Sequence, residues 1–374
     1  MKLIYISNSR MPTELAHGLQ VMQMSEAFAE NDCRVELVVP RRVNKIKQDP
    51  FSYYDIKKIF SYTKLPCLDL IFWNSGSVFF LIQTLTFLLS TRIFLLFRKY
   101  DILYTREQMV GLFFKGYVFE VHSLPKKVRA IHRFLWRRAG KFVVLTSFIK
   151  SRLVEEGIAS EKIIVSPDGV NLSKFDISLS KKEAREKLKL PSGLLIGYVG
   201  MLRTLGMEKG IDTAIDAMTK INKPDARLVL VGGYKNDIDF YRQMASSLGV
   251  EDKVIFVGKV NHAMIPIYLK AFDVLVAPFP ENEHYKYYMS PMKIFEYMAS
   301  SRPIVSTRLP SLEEIIGEGE ALLVAPENSS ELAHGLENVL NDDGLADSLQ
   351  KRAFATILNY TWQNRAKKII QVFA

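Results

Sequence analysis

The chain has little cysteine and lacks a long unbroken hydrophobic run. Both features limit the classes of protein to which it can belong. Only Cys33 and Cys67 occur among 374 residues, without metal-ligand spacing. That count argues against a disulfide framework and favours a reducing cytoplasm. The N-terminus lacks the shape of a cleaved signal peptide. The most apolar stretch, Val78–Phe97, is interrupted by six polar residues, so hydropathy alone does not predict a membrane span.

Several patterns that identify enzyme or nucleic-acid-binding classes are also missing. The sequence contains no serine nucleophile elbow, no phosphate-loop Lys-Ser/Thr motif and no metal-binding Asp-x-Asp motif in a suitable loop. Its six histidines are too dispersed to suggest a zinc site. Zinc-finger, basic-zipper and RNA-recognition signatures are absent as well. We therefore expect no metal, no cofactor and no nucleic-acid partner.

Positive charge is concentrated in the first half of the chain. Residues 1–175 hold 26 Lys/Arg and 15 Asp/Glu, whereas residues 176–374 hold 24 and 25. An anionic membrane, an anionic substrate or nucleic acid could each explain a basic half, and nucleic acid has the least support. The run Lys126–Arg138 combines basic and aromatic residues, so a solvated helix face competes with a membrane-surface role.

Short apolar runs alternate with helical patterns along the whole chain, which predicts two α/β domains with doubly wound parallel sheets. A polar segment at 171–189 separates the two alternations and is the predicted linker. The expected domains are 1–172 and 190–359, followed by a final helical segment at 360–374. Within the first domain, Val78–Phe97 is either a crossover helix packed on the sheet or a helix that also touches lipid.

The segment Ser290–Ala299 carries the strongest functional signal. It follows an apolar run and has Ser290-Pro291 at the expected start of a helix. Backbone N–H groups at such a start bind anions. Lys293 and Glu296 are three residues apart on one face of that helix. A cation suits phosphate and a carboxylate suits ribose hydroxyls, so the segment predicts a nucleotide site.

This segment resembles the donor-site helix of glycosyltransferase family 4, whose members are retaining enzymes of the GT-B fold (glycosyl transferases group 1). Other stretches carry the same resemblance along the chain: Tyr100–Arg106, Phe119–Ser123, Ser166–Asn171, Gly197–Gly200 and Glu208–Asp212. The resemblance implies two Rossmann-like domains facing an interdomain cleft, with the segment 360–374 packing back on the N-terminal domain. It also implies metal-independent transfer of a hexose-type sugar with retained configuration.

The resemblance assigns roles to residues of the C-terminal domain. Arg203 and Lys209 would hold the donor diphosphate, and Glu296 the ribose. Many members have a second Glu where this chain has Tyr288, so backbone N–H groups around Tyr288, Met289 and Ser290 would hold the donor sugar instead. Further donor contacts are expected at Lys293 and at the strand-ending pair Gly232 and Gly233.

In the basic N-terminal domain the resemblance points to three residues. His122 follows a strand and would contact the donor sugar. Gly18, in the first strand–helix loop, would allow close approach of backbone to phosphate or acceptor. His17, beside it, would face the acceptor.

The expected activity is transfer from a nucleotide sugar, UDP- or GDP-linked, to a glycan or lipid-linked glycan acceptor. The expected location is the cytoplasm, with peripheral attachment at the inner face of the cell membrane. Two alternatives remain open at this point. A nucleotide-sugar 2-epimerase has the same fold, and a non-catalytic nucleotide-sugar-binding protein would explain the missing Glu at Tyr288.

Overall fold

The structure is a computed structural model that describes residues 1–72, 76–204 and 206–372. The chain forms two compact units. Unit 1 comprises Met1–Pro167 and Trp362–Ala374, and unit 2 comprises Asp168–Thr361. The last two residues of the predicted segment 360–374 lie outside the described residues.

Unit 1 is built on a seven-stranded, all-parallel sheet. The strand order is β3-β2-β1-β4-β5-β6-β7. The strands are β1 Lys2–Ile6, β2 Arg34–Pro40, β3 Ser61–Leu65, β4 Ile102–Thr105, β5 Tyr117–Val121, β6 Ala139–Val144 and β7 Ile163–Val165. Its helices are α1 Ala16–Glu30, α2 Pro50–Tyr54, α3 Ser77–Leu95, α4 Ala130–Arg138, α5 Ser147–Glu155 and the C-terminal helix Trp362–Gln371.

The C-terminal helix is part of unit 1 because polar contacts fix it there. Gln363 donates to Glu30 at the end of α1 (2.7 Å) and accepts from Asn31 through its backbone carbonyl (3.2 Å). Arg365, almost fully buried, donates to the backbone carbonyl of Pro167 (2.8 Å) and to Glu120 (2.9 Å).

Unit 2 contains a six-stranded parallel sheet in the order β12-β11-β8-β13-β14-β15. The unit's strands are β8 Leu194–Val199, β9 Arg203–Thr204, β10 Met207–Glu208, β11 Ala226–Val231, β12 Val254–Gly258, β13 Val274–Ala277, β14 Ile304–Thr307 and β15 Leu322–Val324; β9 and β10 pair as a small antiparallel hairpin. Its helices are α6 Lys181–Leu188, α7 Ile211–Lys220, α8 Lys235–Ser247, α9 Ile265–Ala271, α10 Met292–Ala299, α11 Pro310–Glu313, α12 Ser329–Asn341 and α13 Asp343–Ile357.

Both faces of the unit 2 sheet are covered. Leu195 and Val199 of β8 belong to one buried cluster, and Ile196 and Tyr198 belong to the other. Since successive strand residues point to opposite faces, these clusters are two cores on either side of one sheet. Together the two units give the predicted fold class of two parallel-sheet α/β domains.

The predicted linker at 171–189 differs from the structure. These residues lie inside unit 2, and the boundary falls at Pro167/Asp168. The segment contains α6, where Arg185 donates to the backbone carbonyl of Ala271 (2.7 Å) and to Asp273 (2.6 Å). Arg185 of the predicted linker thus binds residues in and directly after helix α9, a tertiary pairing that composition does not show.

Two further differences concern local structure. Strand β3, which the sequence analysis did not identify, is a half-exposed edge strand with little apolar patterning. Helix α10 begins at Met292 with Pro291 as its N-cap and no side-chain cap. The predicted capping role of Ser290 is therefore wrong, because its hydroxyl accepts from the backbone N–H of Asp168 instead (2.8 Å).

Helix α3 is the crossover between β3 and β4, and one side of it is buried against unit 1. By length and composition it is also apolar enough to cross a membrane, with a mean hydropathy of 1.8. About a third of it, 33%, is buried within the protein.

Candidate functional site

The candidate nucleotide site lies at the carboxyl ends of β8 and β13 in unit 2. The strand order reverses between these neighbours, since β8 leads to β11 on one side and β13 to β14 on the other. In open parallel sheets, such a reversal leaves a crevice that binds ligands. The elements that follow these two strands supply the charged residues of the site.

Lys293, on the first turn of α10, lies at these strand ends. Its Nζ lies 3.7 Å from the ring centroid of Tyr198 and 5.1 Å from that of Phe279, residues at the ends of β8 and just past β13. The ammonium is buried and has no hydrogen-bond partner among the described residues. Burial, and then the nearby charge of Lys209, lower the pKa of Lys293 well below its ordinary value.

Lys209 supplies the second cation. It directly follows the β9–β10 hairpin, and its Nζ lies 4.7 Å from the ring centroid of Tyr285. Burial lowers the pKa of Lys209 to about 8. Gly210 follows with φ +75°, and a Cβ there would lie 1.6 Å from the carbonyl oxygen of Pro278. The glycine therefore allows the Lys209 loop to pass directly against the end of β13.

Glu296 and Tyr297 lie on α10, one turn after Lys293. Glu296 Oε1 is 3.5 Å from Nε2 of His262, and its negative charge opposes the lowering of the Lys293 pKa. The hydroxyl of Tyr297 accepts from the backbone N–H of Val199 (2.8 Å). That bond fixes α10 against the last residue of β8, so that Lys293 and Glu296 are presented at the strand end.

Two residues of the segment preceding α10 have structural contacts of their own. Met289 is packed into the hydrophobic core of unit 2, and Ser290 is bound to Asp168 as described above. Tyr288 ends a π-helical turn, His284–Tyr288, a feature that is frequent near functional sites. Within this turn, Tyr285 donates to the backbone carbonyl of Glu208 (2.9 Å) and so connects the turn to the Lys209 loop.

Gly232 and Gly233 lie after β11, beside the end of β8. Both have positive φ, +119° and +86°. A Cβ on Gly232 would lie 2.1 Å from the carbonyl oxygen of Gly200, and one on Gly233 would lie 2.7 Å from the side chain of Leu202. The absence of side chains is thus required by close packing of the two strand ends.

Arg203 has protein partners. Its Nη2 lies 2.5 Å from Oε1 of Glu208 across the hairpin, and its guanidinium lies 4.0 Å from the ring centroid of Phe240. Its charge is therefore compensated by a carboxylate, unlike that of Lys293. The predicted contact of Arg203 with a diphosphate stays a prediction.

Unit 1 has a corresponding strand-order reversal between β1 and β4, and a cavity of about 410 Å³ lies there. It is lined by residues that follow the two strands and by the start of α1: Ser7, Asn8, Ser9, Arg10, Thr13, Leu15, His17, Arg42, Phe80, Arg106 and Glu107. Three of these are arginines. Arg42 is paired with Asp69 (3.1 Å), whereas Arg106 donates to the side-chain carbonyl of Gln20.

A buried carboxylate, Glu120, organises the region behind this cavity. It accepts from Gln20 (2.7 Å), Tyr104 (2.5 Å) and Arg365 (2.9 Å). Burial alone would raise the pKa of Glu120, but Arg365, His122 and Arg106 outweigh it and hold the pKa well below its ordinary value. Glu120 is therefore ionised and can only accept hydrogen bonds.

The sequence-predicted residues of unit 1 lie at this edge of its sheet. His122 Nε2 lies 2.7 Å from Glu120 Oε1, so its N–H donates a hydrogen bond to that ionised carboxylate. His17 lines the cavity, and burial, followed by the charges of Arg106 and His122, lowers its pKa to about 4. At Gly18, a Cβ would lie 2.3 Å from the hydroxyl of Tyr54. Packing within the unit accounts for this glycine without a ligand.

Sequence reasoning missed the aromatic residues beneath the lysines, the partner His262, and the Glu120 network. Tyr198 is in a buried strand and Tyr297 on a buried helix face, where tyrosine is ordinary core material. Arg106 had a usable signal, because a charged residue directly after a buried strand lies at the ligand-binding edge of a parallel sheet.

A metal site is not formed by the part of the chain that the structure describes, which holds no group of three or more His, Cys, Asp or Glu side chains suited to a metal ion.

Comparison with known proteins shows that unit 2 is similar to glycosyltransferases. Residues 193–342 match the family model described as Glycosyl transferases group 1. An uncharacterized glycosyltransferase of Methanocaldococcus jannaschii is 32% identical over 222 residues, covering 57% of this chain and 54% of that protein. The D-inositol 3-phosphate glycosyltransferase of Corynebacterium urealyticum is 27% identical over 232 residues, covering 59% and 53%. The chain spans about half the length of the curated relatives it matches.

Solved structures extend the likeness to the whole chain. The crystal structure of Alr3699/HepE from Anabaena in complex with UDP and glucose superposes with a TM-score of 0.76 and 17% identity, covering 99% of this chain and 98% of that one. At this identity the likeness shows the fold, which is the GT-B fold of two parallel-sheet α/β domains.

Proposed function

We propose that the protein is a glycosyltransferase that moves a sugar from a nucleotide-sugar donor to a glycan or lipid-linked glycan acceptor. The observation that carries the proposal is the pair of buried cations, Lys293 and Lys209, at the β8/β13 strand ends. A buried ammonium without a hydrogen-bond partner is costly. The Lys293 ammonium is such a group, and Lys209 lies close enough to lower its affinity for a proton further. A polyanion that binds between the two lysines best explains this arrangement.

The diphosphate of a nucleotide sugar is such an anion, and it becomes more negative when the sugar leaves. Fixed cations that face this developing charge stabilise the transition state. Glu296, one turn further along α10, would accept hydrogen bonds from the ribose hydroxyls. The resemblance to retaining, metal-independent enzymes adds that the sugar keeps its anomeric configuration. It also implies that these lysines, in place of a metal ion, stabilise the charge on the diphosphate.

The cavity of unit 1 is the proposed acceptor site. Its arginines favour an acceptor that carries a phosphate or carboxylate group. A relative named D-inositol 3-phosphate glycosyltransferase has a phosphate in its named substrate, which agrees with that charge. His17 has a pKa of about 4, so at neutral pH it is uncharged and available for a hydrogen bond to an acceptor hydroxyl.

The test begins with calorimetric binding of UDP and GDP, and continues with a transfer assay over a panel of acceptors. We expect one nucleoside diphosphate to bind. The Lys293→Met variant should lower transfer by about 10²–10³-fold, the effect of losing one fixed donor to developing charge. Lys351→Met is the matched control, since Lys351 is exposed on α13 and pairs only with Asp347 among the described residues.

Four results would contradict parts of the proposal. If neither diphosphate bound, the nucleotide site would be wrong. Inversion at the anomeric carbon, observed by NMR of the product, would exclude retention. Interconversion of the free nucleotide sugar without any acceptor would identify an epimerase, and binding without turnover would identify a non-catalytic binding protein.

A further inference from the structure

Helix α3 buries polar residues and exposes large apolar ones, which is unusual for a helix on the surface of a soluble protein. Surface helices normally bury an apolar stripe and expose polar residues. In α3 three of the six buried residues are polar, namely Gln83, Thr84 and Thr91; the other three are Phe87, Leu88 and Leu95. Asn8, just after β1, donates to Thr84 (2.8 Å) and accepts from Gln83 (2.9 Å). The polar side of the helix is thus held against unit 1 by buried hydrogen bonds.

The outward side of the same helix is apolar. At roughly 100° per residue, one arc of α3 and its C-terminal extension carries mostly aliphatic side chains. Its exposed members are Val78, Leu81, Leu89, Ile93 and Leu96. The next residue, Phe97, is 94% exposed. A contiguous apolar strip of this kind marks an interaction surface.

A second exposed apolar pair lies on α4. Ile131 and Phe134 of this helix are both exposed. Phe114 connects the two helices: its ring lies 5.7 Å from the guanidinium of Arg92 on α3, and its carbonyl accepts from Arg138 at the end of α4 (3.4 Å). The α3 and α4 strips therefore belong to neighbouring parts of unit 1.

Basic residues surround these strips. Residues 92–138 contain eleven Lys/Arg and only three Asp/Glu. Those exposed are Arg92, Arg98, Lys99, Lys115, Lys126, Lys127, Arg129, Arg133 and Arg137. An apolar strip bordered by lysine and arginine complements a lipid surface with anionic headgroups.

We propose that unit 1 docks on an anionic membrane through the exposed face of α3, which lies in the plane of the headgroups and does not cross the bilayer. Crossing would place the polar stripe of Gln83 and Thr84 in hydrocarbon and break its bonds to Asn8. Docking in the plane keeps those bonds and removes the apolar face from water. Phe80 of α3 also lines the unit 1 cavity, so the cavity lies next to the docked helix, within reach of an acceptor held in the membrane.

Co-sedimentation with vesicles tests this surface without any need for transfer activity, so its outcome is independent of the proposed function. Vesicles of phosphatidylglycerol and phosphatidylcholine are compared with vesicles of phosphatidylcholine alone, at low and high salt. The wild type should bind the anionic vesicles, and should bind less as salt rises.

The decisive variant is Leu89→Glu with Ile93→Glu, two residues one helical turn apart that are 51% and 56% exposed. We expect vesicle affinity to fall at least 10-fold. The matched control is Phe354→Glu with Leu358→Glu, the same spacing at the end of α13, at 40% and 49% exposure; it should bind as the wild type does. Lys126→Glu with Lys127→Glu should lower vesicle affinity by about 30-fold or more at low salt and by little at high salt.

Melting curves by circular dichroism confirm that each variant is folded. Failure of the wild type to bind anionic vesicles at low salt would overturn the proposal. Equal binding by the α3 variant and the α13 control would overturn it as well. The wild type could also form a dimer, fail to bind vesicles, and become a monomer in the α3 variant. That result would show that the exposed face of α3 binds a second copy of the chain, and it would refute membrane docking.

Discussion

Replacement of Lys209 by Met should make the free protein more stable and its nucleotide binding weaker. Burial lowers the pKa of Lys209 from 10.5 to about 8. That difference means that the charged side chain destabilises the folded state at pH 7 by about 3 kcal/mol. Methionine removes the charge but also its contact with the ring of Tyr285, worth about 0.5–1 kcal/mol. The free energy of unfolding should therefore rise by about 2 kcal/mol.

The pH dependence has a defined direction. Because the folded-state pKa is the lower one, the charged lysine is destabilising at every pH below about 8. This destabilisation disappears as the pH rises towards 10.5, since the unfolded chain then loses the same proton. The stability advantage of Lys209→Met should accordingly shrink across that interval.

Bound diphosphate should narrow the difference in stability between the two proteins. A ligand at 100 times its Kd stabilises the folded state by about 2.7 kcal/mol. The wild type should gain this stabilisation from the nucleoside diphosphate that it binds. The variant, lacking one charge-assisted contact of about 1.5–3 kcal/mol, should bind at least 10-fold more weakly and gain only about 0.3–1.3 kcal/mol at the same ligand concentration.

The assay must report on unit 2. The chain's tryptophans, at 73, 136 and 362, fall within the ranges of unit 1, so tryptophan fluorescence follows the other unit. Hydrogen exchange by mass spectrometry on peptides that cover β8 and β13 gives the local free energy of opening. Lys351→Met is the control. A loss of stability in Lys209→Met, or unchanged diphosphate affinity, would refute the reasoning.

Three further predictions follow from the same contacts. Diphosphate binding at pH 8 should take up protons, because the anion raises the depressed pKa of Lys209; calorimetry in buffers of different ionisation enthalpy measures this. Glu296→Gln should weaken diphosphate binding by about 1.5–3 kcal/mol. The wild type should bind the 2′,3′-dideoxy nucleotide more weakly than the ribonucleotide, whereas this variant should bind the two nearly equally. Glu120→Gln should destabilise unit 1 by about 3–5 kcal/mol, because it leaves Arg365 buried without its carboxylate; urea denaturation followed by tryptophan fluorescence measures it.

Each has an outcome that counts against it. Buffer-independent binding enthalpies would show that Lys209 keeps its proton in the free protein. Equal losses of dideoxy-nucleotide affinity in wild type and Glu296→Gln would place the ribose elsewhere. The control for Glu120→Gln is Glu155→Gln, which removes an exposed partner of Arg152 and should change the free energy of unfolding by less than about 1 kcal/mol. Equal losses of stability in the two variants would mean that the buried Glu120–Arg365 pair contributes no more than an exposed pair.

Helix α3 shows where sequence patterning stops being informative. Apart from Arg92, its polar residues fall within one arc in the sequence, but periodicity does not say which arc faces inward. The sequence therefore left open a packed crossover helix or one that also touches lipid. The structure shows a packed crossover helix whose polar arc is the buried one, because Asn8 at the end of β1 supplies hydrogen bonds to it. Lipid contact by the other face is a proposal, and vesicle binding decides it.

The sequence by itself determined the two parallel-sheet units and the position of the lysine and glutamate on α10. Period-two apolar runs and helix spacing are local properties, so they can be recognised without knowing any contact. The tertiary structure decided the rest. In it, Arg185 of the segment 171–189 donates a hydrogen bond to α9. The hydroxyl of Ser290 accepts from Asp168 instead of capping α10, and Arg203 forms an ion pair with Glu208. The tertiary structure also left Lys293 buried above Tyr198. A hydrogen-bond partner or a burial cost depends on residues distant in the chain, and only the folded arrangement brings them together.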